Sequence, residues 1–316
     1  MEKLSNKISE TFIPVDDEGA ERREVAEQPV IIYRPKSKVA GLSFLVTAAA
    51  IPISKYGSII NALNSVDHVV VGVYVNAITL NRNAHRMKAE AIPMIFEELK
   101  SEFRVNKYDI VGHSIGGKIA LITAALFDDE GLIRNIVALD PVDQHPVEFT
   151  NDLLKQAMSG SSKPQDDSKK SNLSLASSKA DITLTFTDCG GIVGKKHNAR
   201  EIQKKNPTVK LVLHRNAGHM VYCDEGGVLS WKALVGKGQS ADRNDAVKSE
   251  ALQLIKEKAM KATISGSASG KASGVLAKAK KEWKSAKAEL KELGDEAQRK
   301  GNAVAGAAKF GSMFKL

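Results

Sequence analysis

The stretch "KYDIVGHSIGGKIALITAALF", Lys107 to Phe127, decides the fold. Its first part is a short apolar run ending at Val111, the length of a buried strand. Its last part puts Ile119, Ile122 and Leu126 on one side of a helix. Between them lies G-x-S-x-G, with Gly112 and Gly116 around Ser114. A strand, this pattern and a helix in that order make a nucleophile elbow, which lifts the serine onto a sharp turn at the edge of a parallel sheet. The two glycines leave room for the turn, and the Ile115 amide, at the helix start, points at a developing oxyanion. Ser114 is therefore the candidate nucleophile. The blander alternative is a glycine-rich turn that binds an anion or nothing, and the flanking strand and helix favour the catalytic reading.

With 316 residues, 42% of them hydrophobic, the chain can bury one large core, or one core plus an appendage. Runs such as "AGLSFLVTAAAIPI" and "DHVVVGVYVNAI" are broken by Gly, Ser, Thr or Asn. They fall short of the ~18 uninterrupted apolar residues of a membrane span and read as buried strands. The first 27 residues are acidic and lack the apolar centre of a signal peptide, so no targeting segment is visible. Cys189 and Cys223 are too few for a disulfide framework or a zinc set and are expected as thiols, with a single bridge between them as the alternative. The net charge of +9 is uneven, because 11 Lys and Arg against 5 Asp and Glu after Thr263 give the tail +6 of it. A basic surface confined to a tail argues against a nucleic-acid partner for the main domain.

Strand-like and helix-like runs alternate over most of the chain, which predicts an α/β fold with a mostly parallel central sheet flanked by helices. Strands are expected near 30–33, 41–46, 68–74, 108–111, 135–139, 181–186 and 209–214. Helices are expected near 56–65, 84–102, 117–125, 199–204 and 245–262. The organisation read from this is an N-terminal extension over 1–27, a catalytic domain over 28–262 and a tail over 263–316. Within the domain, 151–180 is a flexible polar loop centred on "SGSSKPQDDSKKSNLS". The tail opens with the flexible composition "TISGSASGKASG". It continues as a helix whose Leu276, Ala279, Trp283, Ala286, Leu290 and Leu293 form a narrow apolar stripe among Lys and Glu. Such a stripe lies on its own domain, on a second copy of itself, or on a membrane surface, to which its basic flanks are suited.

A nucleophilic serine needs a base and an acid that orients the base. Of the seven histidines, His219 follows the strand "KLVLHRN" on a loop at the catalytic edge, after the serine and after the acid in chain order. His113 is placed beneath the elbow. Two carboxylates end strands on that edge, Asp140 in "NIVALD" and Asp188 in "ITLTFTD", and position alone leaves both open, with Asp143 third. The second oxyanion donor is expected from the loop "TAAAIP", at the amides of Ala48 and Ala49.

"GHSIGGKIAL" from Gly112, "IVALDPVD" from Ile136, "ITLTFTDCGG" from Ile182, "HNAREI" from His197 and "AGHMVYCD" from Ala217 follow one another in a characteristic order. From about Val30 to about Ala262 the chain resembles the chlorophyllase branch of the α/β-hydrolases, with its GHSRGG-type elbow, its strand ending in DPV and its GHM near the catalytic histidine. The resemblance implies the α/β-hydrolase fold, Ser114 as nucleophile, His219 as base and Asp140 rather than Asp188 as acid. It implies a lipophilic ester partner, the phytyl ester of chlorophyll, no metal or organic cofactor, and a plastid setting, or a cytoplasmic one where no leader is removed. The sequence departs from the family at Ile115, where arginine is usual, and at "VTAAAI", where a "LHGF"-like oxyanion loop is usual. Both departures touch the oxyanion region, and the basic tail lies outside the resemblance.

Overall fold

The structure is a computed structural model that describes residues 19–76, 79, 81–128, 130–149, 151, 173–188, 198–224 and 241–264. Its centre is an eight-stranded sheet of β1 (Ala20–Val25), β2 (Gln28–Tyr33), β3 (Gly41–Val46), β4 (His68–Val73), β5 (Tyr108–His113), β6 (Ile133–Leu139), β7 (Asp181–Thr187) and β8 (Lys210–His214). The spatial order is β1-β2-β4-β3-β5-β6-β7-β8. Strands β4, β3, β5, β6, β7 and β8 pair in parallel, while β2 runs antiparallel to both β1 and β4. This is the α/β-hydrolase fold.

The helices divide between the two faces. α1 (Gly57–Asn64) and α5 (Ala241–Ile264) cover one, and α2 (Ala84–Phe103), α3 (Ile115–Phe127) and α4 (Ala199–Lys205) cover the other. The central strands feed both cores by alternation. Leu42, Phe44 and Val46 of β3 face α2 and α3, whereas Leu45 faces α1. Burial on both sides is why these strands are continuously apolar in sequence.

Strand order reverses at β3. The chain leaves β3 toward β4 on one side and returns through β5 on the other. In an open α/β sheet, ligands gather in the crevice outside the carboxyl ends of the strands that flank such a switch point. Here those ends carry the loop after Val46 and the turn at Ser114.

Two parts of the sequence reading change. The segment read as an N-terminal extension supplies β1, hydrogen-bonded along its length to β2, with Val25 in the core. Its charges concealed it, because β1 is an edge strand whose Arg23 pairs with Glu21 and Glu102 at the surface. The end of the polar loop, 173–180, is anchored rather than flexible. Leu175 is buried, its amide donates to Asn206 Oδ1 at 2.7 Å, and Asp128 accepts from Ser178 Oγ and from the amides of Lys179 and Ala180. Burial raises the pKa of Asp128 against the opposing effect of these bonds. Cys223 is a free thiol, as expected. Cys189, most of the polar loop and the apolar stripe of the tail lie outside the described residues.

Candidate active site

Ser114 stands between β5 and α3 with φ 56° and ψ −119°, a conformation that side-chain-bearing residues seldom adopt. Three glycines permit it. A Cβ on Gly112 would lie 2.4 Å from the Gly116 carbonyl oxygen, one on Gly116 would lie 2.2 Å from that of Val46, and one on Gly117 would lie 3.0 Å from Pro141 Cβ. The helix thus starts in backbone contact with the end of β3, which brings the loop after Val46 beside the elbow. The Ser114 amide donates to Leu139 O at 2.9 Å and its carbonyl accepts from Val142 N at 3.2 Å, which fastens the elbow to the end of β6. As the first residue of α3, Ile115 has an amide without an intrahelical acceptor.

Asp140, directly after β6, is fully buried and also has positive φ, 43°. Its carboxylate accepts from the Thr187 amide at 3.1 Å, from the Thr187 hydroxyl and from His219 Nδ1 at 2.7 Å, while its own amide donates to Thr185 Oγ1 at 3.0 Å. A carboxylate accepts only, so His219 carries a proton on Nδ1, and in the neutral ring Nε2 has the lone pair that a general base requires. His219 opens the 3-10 turn His219–Tyr222 and is 4% exposed, as is Ser114. The turn is tied to the helices of one face by Asp224, which accepts from the Ser58 amide at 2.8 Å and pairs with Lys248.

Ser114, Asp140 and His219 are therefore brought to one edge of the sheet, and Asp140 and His219 to direct contact. The alternative acid Asp188 is exposed and accepts from the Asn216 amide at 2.6 Å, so it shapes the turn that leads to His219. Asp143 pairs with Lys118 at 3.1 Å. The Ala48 amide is corrected as an oxyanion donor, because it already donates to Tyr56 Oη at 2.9 Å. The Ala49 amide makes no hydrogen bond among the described residues and stays a candidate beside Ile115.

The sequence reading missed the threonines that hold Asp140. Thr185 and Thr187 alternate along β7, a period of two that marks one face of a strand, and this was the available signal. Tyr56 gave none, since its partners are eight and 57 residues away.

Fold and site together define a chain of α/β-hydrolase architecture with a serine elbow and an Asp–His pair. The sequence matches the family model described as the PGAP1-like alpha/beta domain over residues 65–191, a stretch that holds Ser114 and Asp140 and stops before His219. No curated protein matches it. Similar solved structures include Est1E from Butyrivibrio proteoclasticus, at 12% identity over 76% of this chain and 98% of that one, with a TM-score of 0.48. The carboxylesterase CesB from Bacillus subtilis is 12% identical over 80% and 96%, TM-score 0.48. A monoglyceride lipase variant from Saccharomyces cerevisiae is 11% identical over 75% and 94%, TM-score 0.47.

Proposed function

We propose that this protein is a serine hydrolase that cleaves a carboxylic ester of a lipophilic substrate. The observation that carries the reading is the 2.7 Å contact between His219 Nδ1 and buried Asp140, at the sheet edge where Ser114 holds its positive-φ turn. Ser114 Oγ attacks the ester carbonyl while its proton passes to His219 Nε2. Asp140 fixes the imidazole and stabilises its cation. The tetrahedral oxyanion forms at the amides of Ile115 and Ala49. Collapse breaks the bond to the alcohol oxygen, which takes the proton from His219, and water then releases the acid by the same steps in reverse.

Within this class the resemblance of "GHSIGGKIAL", "IVALDPVD" and "AGHMVYCD" supports the phytyl ester of chlorophyll as substrate, with chlorophyllide and phytol as products. An insoluble substrate also gives the basic tail, whose sequence spacing predicts an apolar stripe, a use, by holding the enzyme at a lipid surface or pairing it with a second copy. The test has two stages. Fluorophosphonate labelling of wild type and Ser114→Ala asks for an activated serine whatever the substrate, and equal labelling of the two rejects the hydrolase. Incubation with chlorophyll beside short and long acyl esters, with products identified, then ranks the substrates.

A further inference from the structure

We infer that Tyr56 and His113 form a positioning relay that fixes the oxyanion loop and the base-bearing turn in one frame beneath Ser114. The inference rests on the proposed hydrolase reading and assigns roles to two side chains outside its triad.

Both groups are fully buried. Tyr56 Oη lies 2.9 Å from the Ala48 amide and 2.9 Å from His113 Nδ1, and His113 Nε2 lies 2.9 Å from the carbonyl oxygen of His219. A carbonyl oxygen only accepts, so His113 Nε2 donates. Burial holds the His113 pKa well below the ordinary histidine value, so the ring is neutral and Nδ1 is a bare acceptor. The single hydroxyl proton of Tyr56 therefore goes to Nδ1, and the hydroxyl oxygen receives the Ala48 N–H. The relay runs Ala48 N–H to Tyr56 O–H to His113 N–H to His219 O=C, all in one direction.

Its two ends are what need holding. Ala48 precedes the remaining candidate oxyanion donor, Ala49, on a loop that lacks the glycine such loops usually contain. His219 is held at its side chain by Asp140, and the relay holds its main chain. Cys223 Sγ, 3.7 Å from His113 Nδ1, belongs to a thiol whose pKa burial pushes up to about 12, so it is neutral and is a second, weaker donor toward that nitrogen beside the Tyr56 hydroxyl. The His113 ring packs 4.9 Å from that of His219 and edge-on to Tyr222 at 5.4 Å.

The experiment is steady-state hydrolysis of a soluble short-chain ester by full-length protein, well below the melting temperature. Variants are Tyr56→Phe, His113→Leu, His113→Gln and the double Tyr56→Phe/His113→Leu, with Tyr108→Phe as control. Tyr108 is a fully buried tyrosine at the far end of β5 whose hydroxyl has no partner among the described residues. Tyr56→Phe and His113→Leu should each lower kcat by about 10- to 100-fold with KM within about twofold, the range for leaving buried donors and acceptors unpaired. The double variant should be no slower than the slower single, since either change breaks the same relay. His113→Gln, which keeps a donor and an acceptor, should recover part of the loss, and Tyr108→Phe should keep wild-type kcat. Wild-type kcat in Tyr56→Phe, or losses that multiply in the double variant, overturn the relay. Should His113→Leu fail to fold, Tyr56→Phe and His113→Gln complete the cycle. Imidazole nitrogen NMR reads the same assignment without catalysis, and a His113 protonated on Nδ1 at neutral pH overturns it even where no ester is cleaved. A wild type that neither labels nor turns over, with the tautomer as assigned, rejects the hydrolase reading instead.

Discussion

His219 Nδ1 and Asp140 Oδ2 stand 2.7 Å apart in a site where neither side chain is more than 5% exposed, although 79 residues separate them in the chain. The pairing directs the Nδ1 proton of His219 at Asp140, so that in the neutral ring Nε2 is the acceptor. In Ser114→Ala and His219→Ala, ester hydrolysis should therefore fall to near background with the fold intact, because the two act as one unit. Turnover within tenfold of wild type in either variant would remove them from the mechanism.

Asp140→Asn should lower kcat by roughly a thousandfold or more, because an amide at that position no longer enforces the Nδ1–H tautomer. Asp188→Asn should stay within about tenfold of wild type, since an asparagine oxygen still accepts from the Asn216 amide. Comparing the two at matched thermal stability decides between them, and the opposite ranking transfers the acid role to Asp188.

Gly116→Ala places a methyl 2.2 Å from the Val46 carbonyl oxygen and 2.4 Å from that of Thr47. Backbone on both sides cannot yield cheaply, so unfolding free energy should drop by about 1–3 kcal/mol, and turnover should fall with it as the oxyanion loop is displaced. A urea titration with wild-type midpoint would contradict the close contact between α3 and β3.

Acid should destabilise the fold early. Burial lowers the pKa of His113 well below the ordinary value, that of His85 to about 3, and that of His68 by a lesser shift that the Asp109 charge opposes. The unfolded chain takes up protons at these sites below about pH 6.5, and the folded chain does not. Stability is therefore full above that pH and declines as pH falls toward the folded values, by at most about 1.4 kcal/mol per pH unit for each group. Urea midpoints at pH 7.5, 6.5, 5.5 and 5 should decrease steadily below 6.5, and a flat series would mean that these imidazoles are not held neutral.

Truncation after Ile264 removes the tail and leaves α5 and all eight strands in place. Hydrolysis of a soluble ester should be preserved. Co-sedimentation with anionic liposomes should weaken, and salt should reduce it for the full chain, if the stripe from Leu276 to Leu293 works at a lipid surface. Equal liposome binding by both forms, with dimers formed only by the full chain, would assign the stripe to self-association.

The sequence by itself determined the alternation of strands and helices, the elbow at Ser114, the strand-end positions of Asp140 and Asp188 and the loop position of His219. These are local properties, set by period, glycine spacing and apolar runs that survive without knowledge of the fold. β1 was not legible, because an edge strand covered by charges has no apolar period to read. Strand-end position left Asp140 and Asp188 level and only the family resemblance favoured Asp140; the contact itself depends on β6 and β7 lying side by side so that Thr185 and Thr187 can seat Asp140. Tertiary structure alone engaged the Ala48 amide with Tyr56 and set His113 under the His219 turn. A hydrogen bond between residues eight, 57 or 106 apart leaves no periodic trace in the chain, since only the packed sheet brings its partners within 3 Å.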